Sequence, residues 1–249
     1  MRPAFGFGGS SMKKRLIVSV AILAVIVLSS TLTAGCKTAE KSAEAIGGED
    51  QAQVSDGTLA IDQVGIVPWG PTMSRVVARV QNTSPDVTLV SGTYSATLFD
   101  SKDMVLGNDT GAMAPVYPGQ QRWFASAAVA PGMLTPPHRA DFRVSGMKWQ
   151  KIAPADIPTL TMVQSNYIPI NETDAKATGI VHYTGKQTNV RIAITAVTLT
   201  VRKTPVEATT TILENLPPGD YPFEMTFLRS GGVAPQFRAM EVTACLLPE

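Results

Sequence analysis

Two strand-like stretches about a hundred residues apart constrain this 249-residue chain more than any other feature. At a spacing of 101, "ARVQNT" (Ala78–Thr83) meets "GIVHYT" (Gly179–Thr184), and Leu98 meets Leu199. Near the turns the spacing is 100, where "YPGQQRWF" (Tyr117–Phe124) meets "PPGDYPFE" (Pro217–Glu224), with a shared Pro-Gly step and matched aromatics. Order and spacing recur together, which is how a duplicated structural unit shows itself. Each unit is then about 100 residues long, the size of an immunoglobulin-like sandwich.

The segments between the turns alternate as strands do. In "TLVSGTYSATLFD" (Thr88–Asp100) one face is Val90, Gly92, Tyr94, Ala96 and Leu98. "RVVARVQN", "QRWFASAAV" and "ADFRVSGM" are similar, and "NVRIAITAVTLTVRK" (Asn189–Lys203) is a long β-branched run. Eighteen prolines and 20 glycines punctuate them, and no amphipathic helix of convincing length appears. The expected fold is all-β, with two tandem immunoglobulin-like β-sandwich domains. The expected organisation is a signal peptide over 1–35, a lipidated cysteine and flexible tether over 36–57, and sandwiches over 58–148 and 161–249. The linker, 149–160, is the Pro-punctuated end of "MKWQKIAPADIPTL".

From Val76 to Phe124 the chain resembles the FxLYD type of bacterial extracellular domain. A strand with Val and Asn is followed by a long strand with a Leu-aromatic-Asp element, a hairpin, and a Pro-Gly turn before an aromatic strand. The signature reads Ala96-Thr97-Leu98-Phe99-Asp100, with Ala96 where the family has its leading aromatic. In the second half the corresponding "AVTLTV" has lost the aromatic and the Asp. The resemblance implies a β-sandwich on a secreted or lipid-anchored protein, without established catalytic residues and without a defined ligand.

Near its start, Met12-Lys13-Lys14-Arg15 precedes a 13-residue apolar segment, Leu16 to Leu28, and then "SSTLTAGC". A basic region, an apolar core and a small-residue cleavage region make a secretory signal, complete from Met12 onward. The apolar core is shorter than the roughly 20 residues a spanning helix needs; an uncleaved anchor is the alternative. Thr33-Ala34-Gly35-Cys36, after Leu32, resembles the bacterial lipobox. Cleavage between Gly35 and Cys36 would leave Cys36 to carry diacylglycerol, although Thr33 stands where a lipobox usually has Leu. Acyl chains would add membrane affinity of about 0.8 kcal/mol per buried CH2. A Cys36–Cys245 disulfide is the competing reading; with Cys36 lipidated, Cys245 is expected to be a buried, inert thiol. Residues 37–57, small and charged, read as a tether. Lys37 after the cysteine suits outer-membrane sorting, if the cell has such a membrane.

Chemistry is hard to find. With 21 Lys and Arg against 20 Asp and Glu, and no basic face, nucleic acid is not an expected partner. GxSxG, SxxK, P-loop and metal-ligand cysteine or histidine patterns are absent. His138 near Asp141 could be assembled into a triad only by chance, and His182 falls within a strand. Asp100, Asp103 and Asp109 gather around a hairpin, where Asp caps turns, with a calcium loop as the alternative. Trp69, Trp123 and Trp149 are the candidate ligand-binding residues, because exposed aromatic faces stack on sugars. Trp123 adjoins Phe124 on an alternating strand, so one of that pair belongs to a core. The reading is a lipid-anchored, extracytoplasmic, non-catalytic binding or scaffolding protein of the envelope, needing no cofactor and no metal. Its expected partners are the lipid bilayer through Cys36 and envelope proteins or glycans. The alternative is a glycan- or solute-binding module using those three tryptophans.

Overall fold

The computed structural model of the chain describes residues 57–129, 136–172, 174–228 and 236–247. The residues expected to form the signal, the lipobox and, except for Gly57, the tether lie outside the described residues. None of the described helices is long and apolar enough to cross a membrane.

Among the described residues, twelve strands carry the fold. The first six are β1 (Leu59–Trp69), β2 (Met73–Asn82), β3 (Val87–Phe99), β4 (Val105–Met113), β5 (Gln121–Ala125) and β6 (Arg139–Lys151). After a 3-10 turn at Pro154–Asp156 come β7 (Thr159–Pro169), β8 (Asp174–Thr184), β9 (Val190–Leu199), β10 (Pro205–Leu216), β11 (Gly219–Leu228) and β12 (Ala239–Leu246). Strand β6 runs through Lys151 and β7 opens at Thr159, so the connection is shorter than 149–160.

They form four antiparallel three-stranded sheets, β1-β2-β5, β4-β3-β6, β11-β8-β7 and β10-β9-β12. The order repeats element for element: sheet β1-β2-β5 corresponds to β7-β8-β11, and β4-β3-β6 to β10-β9-β12. The protein is all-β, built as two sandwich-like halves of identical topology.

Each half closes over its own core. In the first, Val76, Ala78 and Val80 of β2 face Leu89, Ala96 and Leu98 of β3, with Phe142 of β6 beside them. Tyr94, Phe124 and Phe142 pack as an aromatic trio, with ring centroids 4.4 and 5.0 Å apart for Tyr94–Phe124 and Phe124–Phe142. In the second, Ala177, Val181 and Tyr183 of β8 and Phe223, Met225 and Phe227 of β11 face Ile192, Ile194 and Ala196 of β9. Gly179 lets β8 pass close to its neighbours. A Cβ there would fall 2.2 Å from the Gln164 carbonyl oxygen and 2.5 Å from the Phe223 ring.

Two buried polar side chains, Asn82 and Glu207, are bonded, whereas the Thr88 hydroxyl and the Nε and Nη1 of Arg122 find no hydrogen-bond partner among the described residues. Asn82, fully buried, donates through Nδ2 to the carbonyls of Val87 (2.7 Å) and Val116 (2.9 Å) and accepts from the Ser84 amide. It ties the end of β2 to the start of β3. The buried carboxylate of Glu207 accepts from the Thr198 hydroxyl at 3.1 Å and from Tyr167 at 3.3 Å.

The hairpins give the repeat its register. Asp103 accepts a positive φ of 60° and Lys203 one of 62°, each the third residue of its loop. The amide of Asp103 donates to the Asp100 carbonyl, and that of Lys203 to the Thr200 carbonyl. This is the three-residue hairpin in which a left-handed residue follows a turn. Equivalent residues on β3 and β9 are therefore 100 apart, not 101, and Leu98 corresponds to Thr198 rather than to Leu199. The correction changes faces, because a one-residue slip in a strand turns every side chain over. Leu98 lies in the first core, whereas Leu199 points away from the second.

Truncation should tell the two faces of β3 apart. Leu98→Ala is expected to cost about 2–5 kcal/mol through the cavity it leaves. Thr97→Ala, on the outward face, should stay within about 0.5 kcal/mol. Denaturant unfolding of both variants checks this.

Candidate functional site

Strand β9 is buried along almost its whole length, although a strand covering one core needs apolar residues only at alternate positions. The remaining side chains meet the other half. Val197 and Leu199 of β9 and Ala208 of β10 pack against Val67 of β1, Val77 of β2 and Trp123 of β5. The outer face of β1-β2-β5 thus lies on the outer face of β10-β9-β12, and the four sheets stack as four layers.

Trp123 anchors this contact. It is 3% exposed; its Nε1 donates to Glu241 Oε2 at 2.7 Å, and its amide donates to the Thr243 hydroxyl at 3.0 Å. The Arg79 guanidinium lies 5.7 Å from the indole centroid. It grips Asp62 through two donors, Nε at 3.0 Å and Nη2 at 2.8 Å, and stands 3.9 Å from Glu241. The bonds to Asp62 push the Arg79 pKa further up, against the opposing effect of burial. At the edge of the contact Gly65 faces Pro205, where a Cβ would come within 3.1 Å of the proline ring. Gln63 donates to the Lys203 carbonyl. A cleft of about 200 Å³ runs beside the contact, between Gln120 and Gln121 on one side and Leu160, Met162 and Thr243 on the other. This arrangement performs recognition between sheets, through an apolar centre, a charged rim and a buried indole.

The tryptophans proposed as ligand platforms do not come together. Trp123 has no face available for stacking, because its position on β5 looks across the layer boundary; Phe124, its neighbour, is the core member of the pair. Trp69 ends β1 and is covered by Arg75, whose guanidinium carbon is 3.3 Å from the ring centroid. Burial pushes the Arg75 pKa down to about 10, which leaves it protonated at neutral pH. Trp149, on β6, packs on the first core and abuts Gly57. Gly57 precedes β1 and Trp69 closes it, so these two rings are separated by the length of an eleven-residue strand at about 3.3 Å per residue.

The other candidates are placed individually. Cys36 and Gly35 lie outside the described residues. Cys245 is a free thiol, half-buried rather than sealed in a core, because on β12 it shares the outward side with Glu241 and Thr243. Asp100 accepts from the amides of Lys102 and Met104 at 2.8 and 2.9 Å, which is turn capping. Asp103 pairs with Arg139, and Asp109 accepts from Tyr94 and from the Ala127 amide. Among the described residues, no three His, Cys, Asp or Glu side chains gather where one metal ion could be held. His138 is exposed, and the neighbouring Asp141 is engaged by Arg143 at 2.7 Å. His182 pairs with Asp220 across β8 and β11. The interface residues Asp62, Arg79, Glu241 and Thr243 carried no motif; the apolar residues on both faces of β9, Ile194 and Ala196 on one and Val197 and Leu199 on the other, were the nearest signal.

No family model matches this sequence, and no curated protein matches it. Two solved structures are similar at a low level. One is a glycosyl hydrolase family 2 member from Bacteroides cellulosilyticus, at 9% identity and a TM-score of 0.24 over 72% of this chain and 25% of that one. The other is red sea bream transglutaminase, at 11% identity and a TM-score of 0.22 over 78% of this chain and 29% of that one. The chain thus spans under a third of the length of either.

Two outcomes follow for stability. Trp123→Ala should cost about 3–5 kcal/mol and split one calorimetric transition into two as the halves uncouple. Trp123→Phe, which keeps an aromatic ring but loses the Glu241 bond and part of the indole volume, should cost about 1–3 kcal/mol. The second concerns pH. Burial, then the neighbouring Asp109 carboxylate, push the Tyr94 phenol up to about 12, against an ordinary value of about 10. The folded chain holds this proton more tightly than the unfolded one. The resulting stability is complete below pH about 10 and is lost as pH rises from about 10 to about 12. Alkaline unfolding curves should show this loss, and Tyr94→Phe should flatten it.

Proposed function

We propose that the chain is a bacterial lipoprotein, anchored outside the cytoplasmic membrane through acylated Cys36. In this reading its paired sandwiches form a non-catalytic binding or scaffolding module of the envelope. The observation that carries the anchor is the run from Met12 to Cys36, in which a basic cluster, a short apolar core, small residues and a cysteine follow in the order that lipoprotein processing requires. The FxLYD-like segment supports the same location, since that resemblance implies β-domains displayed on the outside of bacteria.

The scaffolding role draws its support from the contact around Trp123. With an apolar centre and a bonded indole, the two sandwiches act as one four-layer body rather than as beads on a string. Such a body holds its outer faces at a fixed spacing, which suits display and partner docking. The partners of this reading are the lipid bilayer and other envelope proteins.

Metabolic labelling with palmitate tests the anchor. The full chain should take up label and partition with membranes, whereas Cys36→Ala should lose the label and leave the membrane fraction. Label retained in Cys36→Ala would overturn the anchor.

A further inference from the structure

The duplicated halves allow each face of one to be compared with the same face of the other. The outer face of β1-β2-β5 seats the second sandwich. The outer face of β7-β8-β11, its counterpart, pairs with no other sheet among the described residues. Register sets the correspondence. Both first strands carry an irregularity at the same place, between Ile61 and Gln63 and between Met162 and Gln164, so the extra residues are Asp62 and Val163. Gln63 lies opposite Arg79 and Gln164 opposite Ile180; Arg79 lies opposite Trp123 and Ile180 opposite Pro222. Asp62, Arg79 and Trp123 of the interface thus correspond to Val163, Ile180 and Pro222, so the expected spacing of 100 on this strand is corrected by one residue and Phe124, not Trp123, matches Phe223.

A bidentate ion pair and an indole are replaced by three apolar side chains on a face that meets water. Val163 is 60% exposed, and Ile168, further along β7 opposite Lys176, is 45% exposed. Ile180 and Pro222 line a shallow depression of about 430 Å³ whose polar wall is Gln164, Asn166, Thr178 and Glu224. Strand β7 has no charged residue along its length, although edge strands are ordinarily protected by charge. A face that only meets water gains nothing from such an exchange.

The other end of the stack is built the opposite way. Thr97, Asn108 and Asp141 on the outer face of β4-β3-β6 occupy the positions of Val197, Ala208 and Glu241 on β10-β9-β12. The Asn108 side chain bonds with the Ser95 and Thr97 hydroxyls, and Asp141 pairs with Arg143. Head-to-tail stacking of chains would press this polar network onto Val163 and Ile180 and strip its water. A two-fold arrangement instead sets the apolar patch against its own copy.

We infer that the outer face of β7-β8-β11 is a self-association surface, on which a second copy of this chain seats the same face about a two-fold axis near Ile180. The Lys176–Glu224 ion pair flanks the patch, so each copy offers both signs of charge at the rim.

Cross-linking and sedimentation of the full chain in detergent test this. In a Cys245→Ser background, Ile180→Cys should give a disulfide-linked pair on mild oxidation, while Thr97→Cys, on the polar face, should give no more than the background chain. Without cross-linking, the unmodified chain should sediment at twice the single-chain mass. Val163→Lys with Ile180→Lys should halve that mass while the single chain keeps its all-β circular dichroism spectrum, Val163 being exposed and Ile180 half-buried. A cross-link that forms only between Ile180→Cys and Thr97→Cys chains would establish head-to-tail stacking and overturn the two-fold. A single-chain mass for the unmodified protein, or a doubled mass that survives both lysines, would overturn the surface itself.

Discussion

Everything in this architecture depends on one contact, the dry layer in which Val67, Val77 and Trp123 meet Val197, Leu199 and Ala208. A six-stranded sandwich half is small, and a small domain buries a modest share of its surface. By stacking, the halves convert two exposed sheet faces into a third core. The two inner sheets are then covered on both sides, which antiparallel sheets seldom are. Apolar burial supplies the affinity. The Trp123–Glu241 bond and the Arg79–Asp62 pair supply the register, because a buried indole donor must find its acceptor.

That contact also accounts for the way the two halves have diverged. They share topology and turn geometry, yet each outward face has a different neighbour. Thr97 and Asn108 face water, and their counterparts Val197 and Ala208 face the other sandwich. Leu98 fills the first core, and its counterpart Thr198 bonds to the buried Glu207. The Leu98-Phe99-Asp100 end of β3 stands where the second face of the strand is wet, and Thr198-Leu199-Thr200 takes its place where that face is buried. Low identity between the halves is therefore the expected result of one fold holding two positions in a stack.

Much of this was legible in the residues. Alternation in Thr88–Asp100 marked Tyr94, Ala96 and Leu98 as inward, and the Pro-Gly turns bracketed the strands. The β-branched run of β9 showed a strand, but its apolarity on both sides does not say which surface covers the second face. The Trp123–Phe124 pair marked one core residue without saying which. Asp62, Arg79, Glu241 and Thr243 were invisible as a group, since they come from three strands, two in the first half and one in the second, and meet only after both halves have folded.

The sequence by itself determined the all-β class, the duplication, the turn chemistry of Asp100 and the alternation that sorts each strand into two faces, because these depend on neighbours within a few residues. Only the tertiary structure decided which of those faces meet each other. It put Leu199 at a boundary instead of in a core, took Trp123 out of reach of any ligand and set Trp69 and Trp149 at opposite ends of a strand. The reason is physical: strand periodicity says that a face is apolar, but the surface that covers it is chosen by packing between segments a hundred residues apart.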